Sequence, residues 1–420
     1  MMDAQGAGDE HGGLGYSPGV RKATIALIVV WLLALARLFI ADVWDETNGL
    51  VVFKVPGQTA TDIVKVILKT PLPFWRPIPT IFAALVIHWT PPEVAWRLLR
   101  AVNIALILGA LALLIQTLRA WSGRDDRRDA LFTLAVLFSG GAIIVAGWYA
   151  NLFDAFVMLF LAIGLWLIQR GRFVAAGVVF GAAFFFKETV ALALPLLLLL
   201  IAVDRLRIKD AVKAAIPTVI LGALYFALRS LVVPFGSAAD THQFHLDKLG
   251  PTAAAFVSTY WYQTTWGKGW TILGFAWFAV SVAAMRGWRA RLAFLAFAFA
   301  CVGMYLEMFG WQQELIHHLM FAGRLYFIPV TLTLFILALD RRWWALPVLA
   351  IPLLIGAVQT YTHYERFQRS YRNIYRHTAK PVRIYYPPKP LHDPRRGIEI
   401  GDLPDATVKI DPVNGKLVGR

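Results

Sequence analysis

Three carboxylates crowd into five positions in the stretch Ala41-Asp42-Val43-Trp44-Asp45-Glu46. Carboxylates this close repel one another, so at least one of Asp42, Asp45 and Glu46 is expected to gain basicity and accept a proton. A solvated boundary beside an apolar segment is the plainer alternative. Single cations also stand where apolar sequence begins or breaks: Arg76 in Trp75-Arg76-Pro77, Lys187 in Phe186-Lys187-Glu188 and Arg324 in Gly323-Arg324-Leu325. A cation in such a place either snorkels to a surface or faces an anion. Arginine presents a planar fork that matches phosphate. Asp154 could hydrogen-bond a sugar hydroxyl or cap a helical hairpin, and Glu188 could do the same or pair with Lys187. His317 and His318 lack further spaced ligands, so no metal site is expected from them. A carboxylate that deprotonates a hydroxyl, with cations that hold a departing phosphate, can move a sugar off a phosphate carrier.

The elements that position these residues follow from composition. The chain has 420 residues, 58% hydrophobic and only 16% charged, whereas a soluble domain is nearer half apolar and a quarter charged. An all-α, polytopic integral membrane protein is expected. The formal net charge of +15 points to anionic membrane lipid rather than nucleic acid. The one cysteine, Cys301, excludes an internal disulfide.

Six basic clusters stand at Arg21–Lys22, Arg119–Arg128, Arg170–Arg172, Arg205–Lys213, Arg286–Arg291 and Arg341–Arg342. Short basic loops stay cytoplasmic, so an even number of crossings fills each gap. The unusual charges named above then fall on the opposite face. Spans are expected at 23–41, 97–118, 130–147 and 151–168, then two short ones within 172–203 that turn at Lys187-Glu188. Others follow at 213–233, 270–286, 291–309, 324–340 and 343–361, about eleven in all. Residues 63–68 and 77–89 read as interfacial helices within the first outer loop, 42–96. Further outer loops are 234–269 and 310–323. Tyr260, Trp261, Tyr262, Trp266 and Trp270 in the former are expected at headgroup level. Residues 1–22 read as a disordered cytoplasmic tail, 23–361 as the membrane domain, and 362–420 as a basic, Pro-containing tail on the outer side.

Taken in order, these motifs resemble the C-type (GT-C) superfamily of polyprenyl-phosphate-sugar-dependent glycosyltransferases over about residues 23–340. Asp45-Glu46 stands where that family has its acidic motif, and Arg76-Pro77 resembles its Lys- or Arg-Pro element. Phe186-Lys187-Glu188 resembles its phosphate-holding turn. Arg324-Leu325-Tyr326-Phe327-Ile328-Pro329 is similar to a signature of protein O-mannosyltransferases. The nearest branch in pattern is that of aminoarabinose transferase and the protein O-mannosyltransferases. The resemblance implies a bacterial inner-membrane enzyme with a cytoplasmic N-terminus and a periplasmic active site. It would pass a sugar from undecaprenyl phosphate to a glycan, lipid or protein acceptor with inversion. Asp45 would be the general base, with Glu46 or Asp42 in reserve. Lys187, Arg324 and Arg76 would hold the donor phosphate, and Asp154, Glu188, His317 and His318 would face sugar or acceptor. No cofactor is required by the pattern; some relatives bind a divalent metal near the acidic motif and others work without one. The rival is a lipid or sugar transporter or flippase of the cell envelope. That class carries mid-membrane charges and helices broken in matching halves, and neither feature is found.

Overall fold

The computed structural model describes residues 18–39, 59–69, 75–90, 92–147, 151–233, 246–263, 268–312, 319–340, 342 and 344–378, with four short segments in the tail. The first helix, α1 (Pro18–Phe39), is followed by the short α2 (Ala60–Lys69) and α3 (Pro77–Trp89). A reciprocal cap starts α2: Thr59 Oγ1 accepts from the Asp62 amide at 3.2 Å, and Asp62 Oδ2 accepts from the Thr59 amide at 3.0 Å. Ile63 and Ile67, one turn apart, bury against Ile81 and Ala84 of α3, while Lys65 and Lys69 stay exposed. Prolines at its first positions pre-set the start of α3. At 13 residues it spans about 20 Å, too short to cross a hydrocarbon core of about 30 Å.

The bundle continues with α4 (Pro92–Ser122), α5 (Asp126–Leu137), α6 (Gly140–Gly147), α7 (Leu152–Gln169), α8 (Phe173–Ala182), α9 (Ala193–Ala202) and α10 (Ile208–Val232). It closes with α11 (Leu249–Thr259), α12 (Lys268–Ala284), α13 (Gly287–Gln312), α14 (Leu319–Leu339) and α15 (Ala345–Thr378). Among the described residues, five helical stretches are long and apolar enough to cross a membrane, or six if α5 and α6, bent by 60°, form one span. A count of eleven requires shorter apolar helices such as α9 and α14 to cross with them. The last helix does not stop at 361 but runs on to Thr378. Beyond it, four short antiparallel strands pair in the order β1 (Val382–Arg383), β2 (Ile398–Ile400), β3 (Thr407–Ile410) and β4 (Leu417–Val418).

Five of the basic clusters meet at one end of the bundle. Arg205 donates to the carbonyls of Trp121 (2.8 Å) and Leu339 (3.4 Å), and the Arg286 amide donates to Asp340 (3.3 Å). Gly171, Arg205 and Arg289 line one cavity there. Phe173 and Ala202 line that cavity too, so the stretch between them must leave and return. It turns at the expected place: α8 tightens into a 3-10 turn at Ala183–Phe185, and Lys187 is extended. A second 3-10 turn, Glu188–Leu192, leads into α9.

Glycine spacing docks this hairpin on α10. A Cβ added at Gly177 would stand 2.1 Å from the Ala214 carbonyl oxygen, and one at Gly181 would stand 2.6 Å from the Leu221 Cβ. Small residues let the two backbones touch, which stands in for the missing hydrophobic drive between helices in lipid. Thr218 Oγ1 sits 2.9 Å from the Ala214 carbonyl and 3.2 Å from that of Gly177.

Tyr260, Trp261 and Tyr262, expected at headgroup level, are buried within the protein. They follow α11, which packs against α12 and α13. The two phenols find partners there: Tyr260 pairs with Thr333 (2.7 Å) and Tyr262 accepts from Trp277 (3.0 Å). Trp266 lies outside the described residues.

Candidate functional site

The far end of the hairpin carries the charges. Lys187 Nζ lies 2.5 Å from Asp154 Oδ1 in the first turn of α7, and both side chains are almost wholly buried. Glu188, its neighbour in sequence, points to other partners. Its Oε2 accepts from Arg76 Nε (3.0 Å) and Nη2 (2.8 Å), and its Oε1 lies 2.6 Å from the Tyr225 hydroxyl. Tyr225 also reaches the Trp75 carbonyl at 2.8 Å and stacks on the Trp75 ring. Two hydrogen bonds from one guanidinium to one carboxylate fix the pair in orientation as well as distance. Arg324, on α14, sits 3.4 Å from Asn151 Oδ1. Arg229, one turn beyond Tyr225 on α10, is buried.

These groups act on one another electrically. Lys187 lies in the turn, outside both apolar helices, and its ammonium is pulled down to about 8, first by burial. Asp154 opposes this, while the positive charges of Arg76 and Arg324 reinforce it. A lysine poised that low still carries its charge at neutral pH but holds it weakly. Four cations, Arg76, Lys187, Arg229 and Arg324, face two carboxylates, Asp154 and Glu188. Cations brought together from four separate elements make a group suited to an anion.

Five of the residues singled out from sequence, Arg76, Asp154, Lys187, Glu188 and Arg324, therefore come together. Asp42, Asp45, Glu46, His317 and His318 lie outside the described residues. Among the described residues no group of three His, Cys, Asp or Glu side chains could hold a metal ion. Sequence reasoning missed Tyr225, Arg229 and the Asn151 contact. Arg229 was the findable one, because it is an arginine in the last turn of an otherwise apolar span.

The family model for glycosyltransferase family 87 matches residues 74–311, more than half of the chain. The chain belongs to glycosyltransferase family 87. Family 87 has the C-type fold, so the superfamily resemblance drawn from the charged motifs holds. This family-87 chain is thus a multi-pass membrane glycosyltransferase, and the transporter alternative falls away. The matched segment contains Arg76, Asp154, Lys187, Glu188, Tyr225 and Arg229. Among solved structures, the crystal structure of ArnT from Cupriavidus metallidurans bound to undecaprenyl phosphate aligns at 16% identity with a TM-score of 0.45. The alignment covers 84% of this chain and 72% of that one. No curated protein matches.

Proposed function

We propose that this enzyme transfers a sugar from a polyprenyl-phosphate donor to a glycan, lipid or protein acceptor on the outer face of a bacterial inner membrane. The supporting observation is the cation group of buried Lys187 with the half-buried Arg76 and Arg324 at the end of the bundle opposite the basic loops. A donor whose phosphate sits at the membrane rim and whose chain stays in lipid matches that placement. The donor phosphate lies against Lys187, Arg76 and Arg324, with Arg229 behind them, while Asp154 and Glu188 hold the cations and face the sugar.

Asp45 is the proposed general base, with Glu46 or Asp42 as substitutes, and His317 and His318 face the acceptor. The base takes the proton of the acceptor hydroxyl as its oxygen attacks the anomeric carbon from the side opposite the phosphate. The bond from that carbon to the phosphate oxygen breaks, and polyprenyl phosphate leaves with the electron pair. Attack from the opposite side inverts the anomeric configuration. Cations already in place stabilise the charge that develops on the leaving oxygen without reorganising at the moment of reaction.

Two variants divide these roles. Asp45→Asn should abolish transfer and leave donor binding near the wild-type value, because it touches only the proton. Lys187→Gln should weaken donor binding by about 1.5–3 kcal/mol, the range for a hydrogen bond to a charged group. Retained turnover in Asp45→Asn would remove Asp45 as base, and an unchanged donor KM in Lys187→Gln would remove Lys187 from the phosphate site.

A further inference from the structure

The other end of the bundle has a site of its own. A cavity of about 1050 Å³ opens between the α7–α8 turn, the α9–α10 loop and the start of α13. That is above the ~300–1,000 Å³ of pockets for drug-sized ligands. Arg205, Arg207, Lys209 and Arg289 line it with Asp204 and Asp210. Asp210 is buried and already matched: its two oxygens accept from Arg207 Nε (2.8 Å) and Lys213 Nζ (3.0 Å). The carbonyls of Trp121 and Leu339 hold Arg205 in place without cancelling its charge. Lys209 and Arg289 are exposed. The mouth therefore keeps an excess of positive charge.

Immediately deeper, the lining turns apolar. Leu198 of α9 and Leu292 of α13 are 54% and 55% exposed, on surfaces that a bilayer would cover, and Ala296 continues the wall. Cations at headgroup level above a wall open to lipid describe an amphiphile, with an anionic head and hydrocarbon chains. A free anion would leave Leu198 and Leu292 without a role.

We infer that this cavity binds an anionic phospholipid, its phosphate between Lys209 and Arg289 and its acyl chains along Leu198 and Leu292. Bound there, the lipid bridges α9, α10 and α13. The site is independent of the donor assignment, since no residue of the Lys187 cluster takes part.

The test is native mass spectrometry of the full chain in detergent, titrated with phosphatidylglycerol or phosphatidylcholine. Phosphatidylglycerol should bind and phosphatidylcholine should not. The double variant Lys209→Gln/Arg289→Gln should weaken phosphatidylglycerol binding on the order of thirtyfold, from the worth of two basic residues at a membrane surface. Ala296→Trp, which fills the wall and leaves every charge, should weaken it as well. The pair Arg124→Gln/Arg127→Gln removes the same charge from exposed positions outside the cavity and should change nothing. Equal losses in both double variants would mean diffuse surface attraction and overturn the site. Displacement of the lipid by glycerol phosphate at equal concentration would make it a free-anion site. Displacement by equimolar polyprenyl phosphate would overturn the choice of a diacyl lipid.

Discussion

Replacing Asp154 by asparagine removes the carboxylate that stands 2.5 Å from the Lys187 ammonium. Lys187 sits at about 8 even with that partner present. An opposite charge at close range is worth ~1–3 pKa units. Taking two, the variant's lysine titrates near ~6, a change of ~2.7 kcal/mol. Leaving an uncompensated buried charge costs ~3–5 kcal/mol, so the lysine gives up its proton before the site unfolds. At pH 7 the charged fraction falls from ~90% to ~10%. Phosphate binds the ammonium and raises its pKa, so donor affinity is complete below the donor-free value and falls as pH rises through it. In wild type that fall begins at about 8; in Asp154→Asn it begins about two units lower. Donor KM measured from pH 5 to 9 should therefore be about tenfold higher for the variant at pH 7. Below pH 5.5 it should drop under the wild-type value, because the re-protonated lysine no longer shares its charge with a carboxylate. An identical midpoint in both proteins, or no recovery in acid, would refute this reasoning.

Lys187→Arg keeps its charge throughout, so its donor KM should be flat between pH 6 and 9 where wild type rises above 8. Glu188→Gln removes the anion shared by Arg76 and Tyr225, and Tyr225→Phe removes only the hydroxyl. The melting temperature should fall more for the first, by the equivalent of ~3–5 kcal/mol against ~1–3, and equal losses would dissolve the proposed network. Gly177→Leu, whose Cβ meets a backbone oxygen that cannot yield, should prevent the α8–α10 contact and abolish folded protein on size-exclusion chromatography. Gly171→Ala adds a methyl in open space but at φ 72°, so a modest loss of ~1–2 kcal/mol from left-handed backbone is expected in a denaturation curve.

Much of this was legible because charge is so scarce in membrane helices. Arg76, Asp154, Lys187, Glu188 and Arg324 stood out against apolar sequence, and the basic clusters alone required the 172–203 stretch to double back. The pairing was not legible. Glu188 meets Tyr225 where Gly177 and Gly181 seat the hairpin on α10, and Lys187 meets Asp154 of α7 instead, tertiary facts that no local spacing encodes. Tyr225 and Arg229 carry no local signal of their role, and only the placement of α10 brings Tyr225 to Glu188. The aromatics at 260–262 are a related case: amphipathic rings suit the headgroup region, but Thr333 and Trp277 serve the hydroxyls of Tyr260 and Tyr262 inside the protein. The 60° bend between α5 and α6 falls just before Gly140, where a Cβ would meet the Thr360 hydroxyl at 2.8 Å and the Gly356 carbonyl at 3.3 Å on α15.

The central claim is that the cation group at Lys187 receives a lipid-linked phosphate. The most direct measurement is sugar transfer by the purified enzyme in liposomes, supplied either with a polyprenyl-phosphate sugar or with the corresponding nucleotide sugar. Transfer from the lipid-linked donor alone, lost in Lys187→Gln, is the predicted result. Efficient transfer from the nucleotide sugar in liposomes free of polyprenyl phosphate would contradict it.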